Sequence, residues 1–264
     1  MQPQPDPPIP AEAPVKGTGS LHKALRLLSS MADAEGAGLR LNEVVSRTGL
    51  DPATAHRMMA CFVAEGFLEK LPEKRYRLGP RVFELGLAAA PMHTPFTRAH
   101  RHLHDLAQSL DVTAVLSRRS GAESVYVDRV EGSEVLPGLR SALGTRLPLG
   151  IGAGGVAILA SMPASRASAL IDGNAALYRR FDRAAPRLLR QRILAAKSAG
   201  FAVTESFLRP GVRAVGVVVP PERRGPEFAV SVVLGECQPF NADEMLPALR
   251  QAASDVSRAI SPHP

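Results

Sequence analysis

Apolar positions along this chain repeat with two periods, three-to-four in some stretches and two in others, and each change of period marks a new element. Leu21, Ala24, Leu25, Leu28 and Met31 form a helical stripe behind Ser20, a suitable N-cap. A short helix follows from about Asn42, also a good cap, with Glu43 in its first turn. It stops at Thr48-Gly49, where glycine supplies the left-handed residue that closes a helix. The next helix opens with Asp51-Pro52, an acidic cap and then proline at the first helical position, where a missing N–H costs nothing. Its apolar stripe is Ala55, Met58, Met59, Phe62 and Val63. Phe67–Lys70 and Arg75–Leu78 then read as two strands around a turn built on Pro72.

From Pro80, apolar Val82, Leu85 and Ala89, with Phe83 and Leu87 beside them, predict a helix that Pro91 to Pro95 interrupt. Its broad apolar arc predicts a linker and dimer-forming helix. Another helix covers Thr97–Asp111. Val112–Leu116 and Ser124–Val130 alternate as strands joined at Ser120-Gly121, and Leu136–Ser141 reads as a third. The glycine-rich run Gly150, Gly152, Gly154, Gly155 leads into an apolar helix, and residues 163–172 and 186–199 look helical. Strands follow at Phe201–Glu205, Val212–Pro220 and Glu227–Gly235, the last two broken by a turn around residues 220–226. A final amphipathic helix runs from its cap Asn241 to about Ile260. The expected architecture is α+β with two domains. A proline-rich tail (1–18) with nothing to bury precedes a winged helix-turn-helix domain (19–80), a linker helix (81–98) and an antiparallel sheet domain flanked by helices (99–264).

The second helix of the helix-turn-helix pair carries the functional signal. Opposite its apolar stripe lie Ala53, Arg57, Ala60, Cys61 and Ala64, with Thr54 and His56 on the flanks. Little bulk, one fixed cation and a few hydrogen-bonding groups near the N-terminal end suit a helix lying in the DNA major groove. On an isolated helix the same face would read equally well as a solvated surface; the preceding helix and the following hairpin decide for DNA. Lys70, Lys74, Arg75 and Arg77 surround Tyr76 on that hairpin, as cations that meet phosphates or enter a narrow minor groove would. Lys23 and Arg26 are further phosphate candidates.

Charge agrees without adding proof. The net charge is +7; residues 16–81 carry +4, residues 82–264 carry +5 over a segment nearly three times longer, and residues 1–15 carry −2. An acidic partner for the helix-turn-helix segment fits this distribution. Cys61 and Cys237 lie far apart, so no structural disulfide is expected. With no signal pattern and no apolar run of membrane length, a cytoplasmic protein is expected. His100 and His104 share a helical face, but only Asp105 is near and it lies off that face; a surface or interface role is favoured over a metal site. The glycine run lacks nucleotide-binding spacing and a following P-loop lysine, which leaves close packing or a backbone-lined anion site. No triad elbow, CxxC or paired-carboxylate motif stands out, so binding is favoured over catalysis and no cofactor or metal is expected.

In this order the segments LHKALRLLSSM, LNEVVSRTGLDPATAHRMMACFVAEGFLEK, RYRLGPRVFELG, VYVDRVEG, LPLGIGAGGVAILA, AGFAVTESFLRPGVRAVGVVV and SVVLGECQPFNADEM resemble the IclR family of bacterial transcriptional regulators, over about residues 19–260. The resemblance implies a winged helix-turn-helix, a linker helix and a GAF-like effector domain. It also implies assembly as a homodimer or dimer of dimers, on double-stranded promoter DNA, under control of a small, often carboxylated or aromatic, metabolite. By position, Gly152, Ala153 and Gly154 would form the backbone part of the effector site. Thr204 stands where many members have Asp, Ala214 where some have Cys, and Val233 where some have a second Ser, while Ser231 keeps a hydroxyl and Val156 replaces a common Lys. These departures make the site more apolar and point to an aromatic or short hydrophobic carboxylate. Thr54, His56 and Arg57 would read bases, with Lys70, Lys74, Arg75 and Arg77 on the backbone. The rival expectation is an enzyme, for instance a small-molecule hydrolase with an appended binding module.

Overall fold

The computed structural model describes residues 17–32, 37–133, 143–181, 185–205, 211–220, 227–235 and 238–260, with backbone alone at 90–96 and 180–181. Residues 1–16 of the expected tail, the third strand at Leu136–Ser141, the turn at 221–226 and Cys237 lie outside the described residues. The chain divides into two compact units, Met1–Met92 and His93–Pro264.

The first unit holds α1 (Gly19–Ser30), β1 (Leu39–Arg40), α2 (Leu41–Thr48), α3 (Pro52–Ala64), β2 (Leu68–Leu71) and β3 (Arg75–Leu78). Two sequence expectations about caps change. Helix α1 starts at Gly19 rather than behind Ser20, and α2 is capped at Arg40 rather than Asn42. The reason at α2 is a one-way bond from the Arg40 amide, since a guanidinium has no acceptor to return it. Glu43 Oε2 accepts from the Arg40 amide at 2.7 Å, which fixes the cap two residues earlier. Gly49 closes α2 with φ 68° as expected. Leu27, Met31, Leu39, Val44, Ala55, Met59, Leu68 and Tyr76 form the core, with Met58, Phe62 and Val63 against it. The expected stripe of α1 is corrected: Leu27 is buried, whereas Leu21 and Leu25 are 60% and 53% exposed.

β1 was not legible as a strand, because two residues carry no period. It extends the wing to a three-stranded sheet in the order β1-β3-β2, pairing Leu39 with Tyr76 and Arg40 with Arg75. A 3-10 turn, Pro72–Lys74, joins β2 to β3.

Helix α4 (Pro80–Leu110) runs on through Pro91 and Pro95, where an interruption was expected. Each proline removes only its own i→i−4 bond, and the turns on either side keep theirs.

The second unit adds β4 (Thr113–Ser120), β5 (Glu123–Val130), β6 (Arg146–Pro148), α5 (Ala153–Ala160), α6 (Ala164–Gly173), α7 (Ala175–Phe181), α8 (Ala185–Ala199), β7 (Ala202–Glu205), β8 (Arg213–Val218), β9 (Phe228–Leu234) and α9 (Ala242–Ile260). The sheet is antiparallel with strand order β6-β5-β4-β9-β8-β7. Period-two alternation gives it two apolar faces. Ala114, Leu116, Val215, Val217, Val230 and Val232 pack with Leu103 and Leu106 of α4 and Leu249 and Val256 of α9. Ala202, Ala214 and Ala229 pack on the other face with α5, whose eight residues are all buried.

Candidate nucleic-acid interface and effector site

Helix α3 is fixed at its start by Asp51, whose carboxylate accepts from the amides of Ala53 (3.1 Å) and Thr54 (3.0 Å). Hydrogen bonds from Thr54, hydroxyl first and then amide, hold the Asp51 carboxyl below its ordinary value, helped by the nearby Arg57 charge. With Ala55 and Met59 buried and Met58, Phe62 and Val63 half-buried, Ala53, His56, Arg57, Ala60, Cys61 and Ala64 face outward, and Thr54 is half-buried. Arg57 Nη2 donates to Thr54 Oγ1 at 3.3 Å, so two of the three expected base-reading residues already touch.

The four wing cations separate into two pairs. Arg75 Nη1 donates to the Gly38 carbonyl at 2.7 Å and lies 3.6 Å from Glu43. Arg77 pairs with Glu69 across β2–β3. Lys70 and Lys74 are exposed and have no ion pair among the described residues. At the wing tip Glu73 and Lys74 take φ 58° and 57°, a conformation that a side chain disfavours. His56, Lys70 and Lys74 line one cleft of about 640 Å³, together with Arg40, Leu41, Asn42, Glu73 and Tyr76. Arg40 and Asn42 were missed as site residues. Asn42 was legible only as a cap, and Arg40 reaches the cleft through β1 pairing, which no periodicity marks.

In the second unit the register sets the candidate effector residues in rows. Thr204, Ala214, Val233 and Thr113 pair successively across β7, β8, β9 and β4. The next row on the same face is Gly216, Ser231, Val115 and Arg129, across β8, β9, β4 and β5. Thr204, Ala214 and Ser231 are buried and Val233 is half-buried. Over these rows sits the start of α5. Gly152 precedes it with φ 102°, and a Cβ on Gly216 would fall 2.7 Å from the Ala153 carbonyl carbon and 2.9 Å from the Gly154 nitrogen. A Cβ on Gly154 would meet Ser117 Oγ at 3.0 Å. The expected site residues Gly152, Ala153, Gly154 and Ser231 are thus brought to one place, by glycines that let backbone lie on the sheet. Val156 is fully buried in the core cluster instead of lining an opening.

Leading into this loop, the Tyr178 hydroxyl donates to the Leu149 carbonyl at 2.6 Å, and burial pushes the phenol up to about 12. His100, weighed above as a ligand, pairs with Asp128 at 3.0 Å on the opposite face of the sheet. Among the described residues no group of three or more His, Cys, Asp or Glu is placed to hold a metal ion, and no helix is long and apolar enough to cross a membrane.

Comparison with known proteins matches residues 20–72 to the IclR helix-turn-helix domain and residues 92–258 to the bacterial transcriptional regulator IclR C-terminal family. The HTH-type transcriptional regulator KipR of Bacillus subtilis is 29% identical over 224 residues, 84% of this chain and 88% of that protein. An IclR transcriptional regulator from Alicyclobacillus acidocaldarius superposes with TM-score 0.73 at 23% identity, covering 92% of this chain and 98% of its own. An IclR homolog from Microbacterium hydrocarbonoxydans complexed with 4-hydroxybenzoate superposes with TM-score 0.69 at 21% identity, covering 92% and 99%.

Proposed function

The chain belongs to the IclR family of bacterial transcriptional regulators, with a helix-turn-helix domain and a C-terminal effector domain, and from that premise we propose that it binds promoter DNA as a homodimer or dimer of dimers under control of an aromatic or short hydrophobic carboxylate. The observation that carries the DNA half is the meeting of His56 with Lys70 and Lys74 in one cleft. α3 offers Thr54, His56 and Arg57 to base edges, while Lys70 and Lys74 hold phosphates. Arg75 and Arg77, already engaged by Gly38 and Glu69, shape the wing first and reach DNA second. Assembly is supported by exposed apolar side chains: Leu21 (60%) and Leu25 (53%) on α1, and Phe83 (68%), Leu85 (48%) and Leu87 (56%) on α4. Residues of this size on exposed helix faces gain most from burial against a second copy.

The effector half rests on Ser231 and Thr204 standing among Ala214 and Val233 beneath the amides of Gly152, Ala153 and Gly154. A few convergent donors in apolar walls suit a carboxylate with a ring or chain. The 4-hydroxybenzoate held by the Microbacterium protein makes an aromatic acid the first to test.

Fluorescence anisotropy with DNA from upstream of this gene and its neighbours tests the proposal, with and without benzoate and 4-hydroxybenzoate. Expected are binding well above random DNA, a shift on adding acid, and a loss of roughly 1–3 kcal/mol of specific affinity in Arg57→Ala. Equal binding to random DNA overturns the operator reading. Operator binding that no acid alters overturns the effector reading.

A further inference from the structure

The α5-facing side of the sheet carries an unsatisfied cationic corner that the effector residues named above do not use. Thr113 is 1% exposed, and its hydroxyl has no hydrogen-bond partner among the described residues. The Arg129 side chain is 10% exposed, and its Nε likewise has none. Both lie on the face of Ser231 and Ala214. Val115 pairs with Arg129 on one side and Ser231 on the other, and Thr113 pairs with Val233. Thr113 is the diagonal neighbour of Arg129, about 7–8 Å away by strand geometry. Arg129 and Ser231 are two strand spacings apart, about 10 Å between backbones. Glu131 Oε1 approaches Arg129 Nη2 at 2.7 Å, but outside hydrogen-bond geometry, and Glu131 is 38% exposed. Its charge offsets the guanidinium at Nη2, while Nε stays without an acceptor and the partly exposed glutamate can swing to solvent.

Buried donors without acceptors are costly, and a guanidinium fork beside a hydroxyl matches a carboxylate. Resting on the effector reading above, we propose that Arg129 and Thr113 form a second acid subsite, so that the effector is a diacid. One carboxylate lies at Ser231 and the glycine-loop amides, and the other at Arg129 and Thr113. Glu131 competes for the same guanidinium and sets the threshold for entry.

Calorimetric titration of the full chain with two matched pairs, benzoate against terephthalate and hexanoate against adipate, tests this. In the wild type at least one diacid binds about tenfold or more tighter than its monoacid, the increment of a charge-assisted pair. Arg129→Met removes that ratio and leaves monoacid binding unchanged, and Glu131→Gln increases it. Thr113→Val, which removes only the hydroxyl, lowers the ratio and serves if Arg129→Met unfolds. Monoacids that bind as well as diacids to the wild type overturn the subsite and leave the carboxylate effector standing. A diacid preference untouched by both Arg129→Met and Thr113→Val overturns it too. If none of the four acids binds, the carboxylate reading itself falls, and the subsite with it.

Discussion

Arg75 Nη1 on the wing donates to the backbone carbonyl of Gly38 at 2.7 Å, tying β3 to the residue that leads into β1. The guanidinium therefore holds the wing against the start of α2. Arg75→Ala is expected to destabilise the DNA-binding unit by about 1 kcal/mol, the low end for a charge-assisted bond that is partly exposed. Lys70→Ala leaves stability alone and makes the salt dependence of DNA binding shallower, by about 0.9 in slope per lost phosphate contact. Urea unfolding and anisotropy at several salt concentrations separate the two; equal stability losses in both variants refute the division.

Lys74 takes φ 57° at the wing tip, where glycine would sit without strain. Lys74→Gly is expected to stabilise the wing by up to about 1 kcal/mol while weakening DNA binding. Thermal unfolding paired with anisotropy reads both changes. A variant that loses stability as well as affinity contradicts the strain argument.

The carboxyl of Asp51 is held below its ordinary value chiefly by hydrogen bonds from Thr54. A group whose folded pKa is depressed contributes stability above its unfolded pKa, and loses it as pH falls through the folded pKa. Acid therefore releases the α3 cap in the window below the ordinary carboxylate value. Asp51→Asn keeps a capping oxygen that does not titrate there. The wild type should lose helix-turn-helix stability more steeply on acidification than the variant; parallel acid-unfolding curves would remove Asp51 from the pH response.

Gly216 lies under the first turn of α5, where an added Cβ meets the Ala153 carbonyl carbon at 2.7 Å and the Gly154 nitrogen at 2.9 Å. Neither neighbour is a side chain that can rotate away. Gly216→Ala is expected to cost roughly 1–3 kcal/mol and to impair acid binding together with stability. A variant with unchanged melting temperature would mean the loop shifts at little cost.

Ala214, 8% exposed, stands beside Thr204 and Val233 in the proposed site. Ala214→Asp would bury a charge next to the effector's own, and like charges in one site repel. Titration with a panel of aromatic and aliphatic acids should show each binding more weakly. An acid that binds as before shows that Ala214 does not line the site.

Much of this protein follows from local sequence alone, because local steric and bonding rules act within a few residues. Asp51-Pro52 starts α3 and Gly49 ends α2 wherever the chain goes, since each satisfies or frees backbone within one turn. The apolar stripe of α3 likewise announced which of its faces would turn inward. Tertiary structure decided what depends on partners distant in the chain. Lys70, Lys74, Arg75 and Arg77 are alike as sequence, yet only the register of β1 and β2 on β3 occupies the two arginines. Leu21 and Leu25 lie in a plausible stripe, but the rotation of α1 on its neighbours buries Leu27 instead. Arg129 and Ser231 lie in segments far apart in the chain and Thr113 in neither; they share a corner because β4 pairs with β5 on one side and with β9 on the other. A side chain's chemistry is written in its type, whereas its free valence is set by whatever the fold brings alongside.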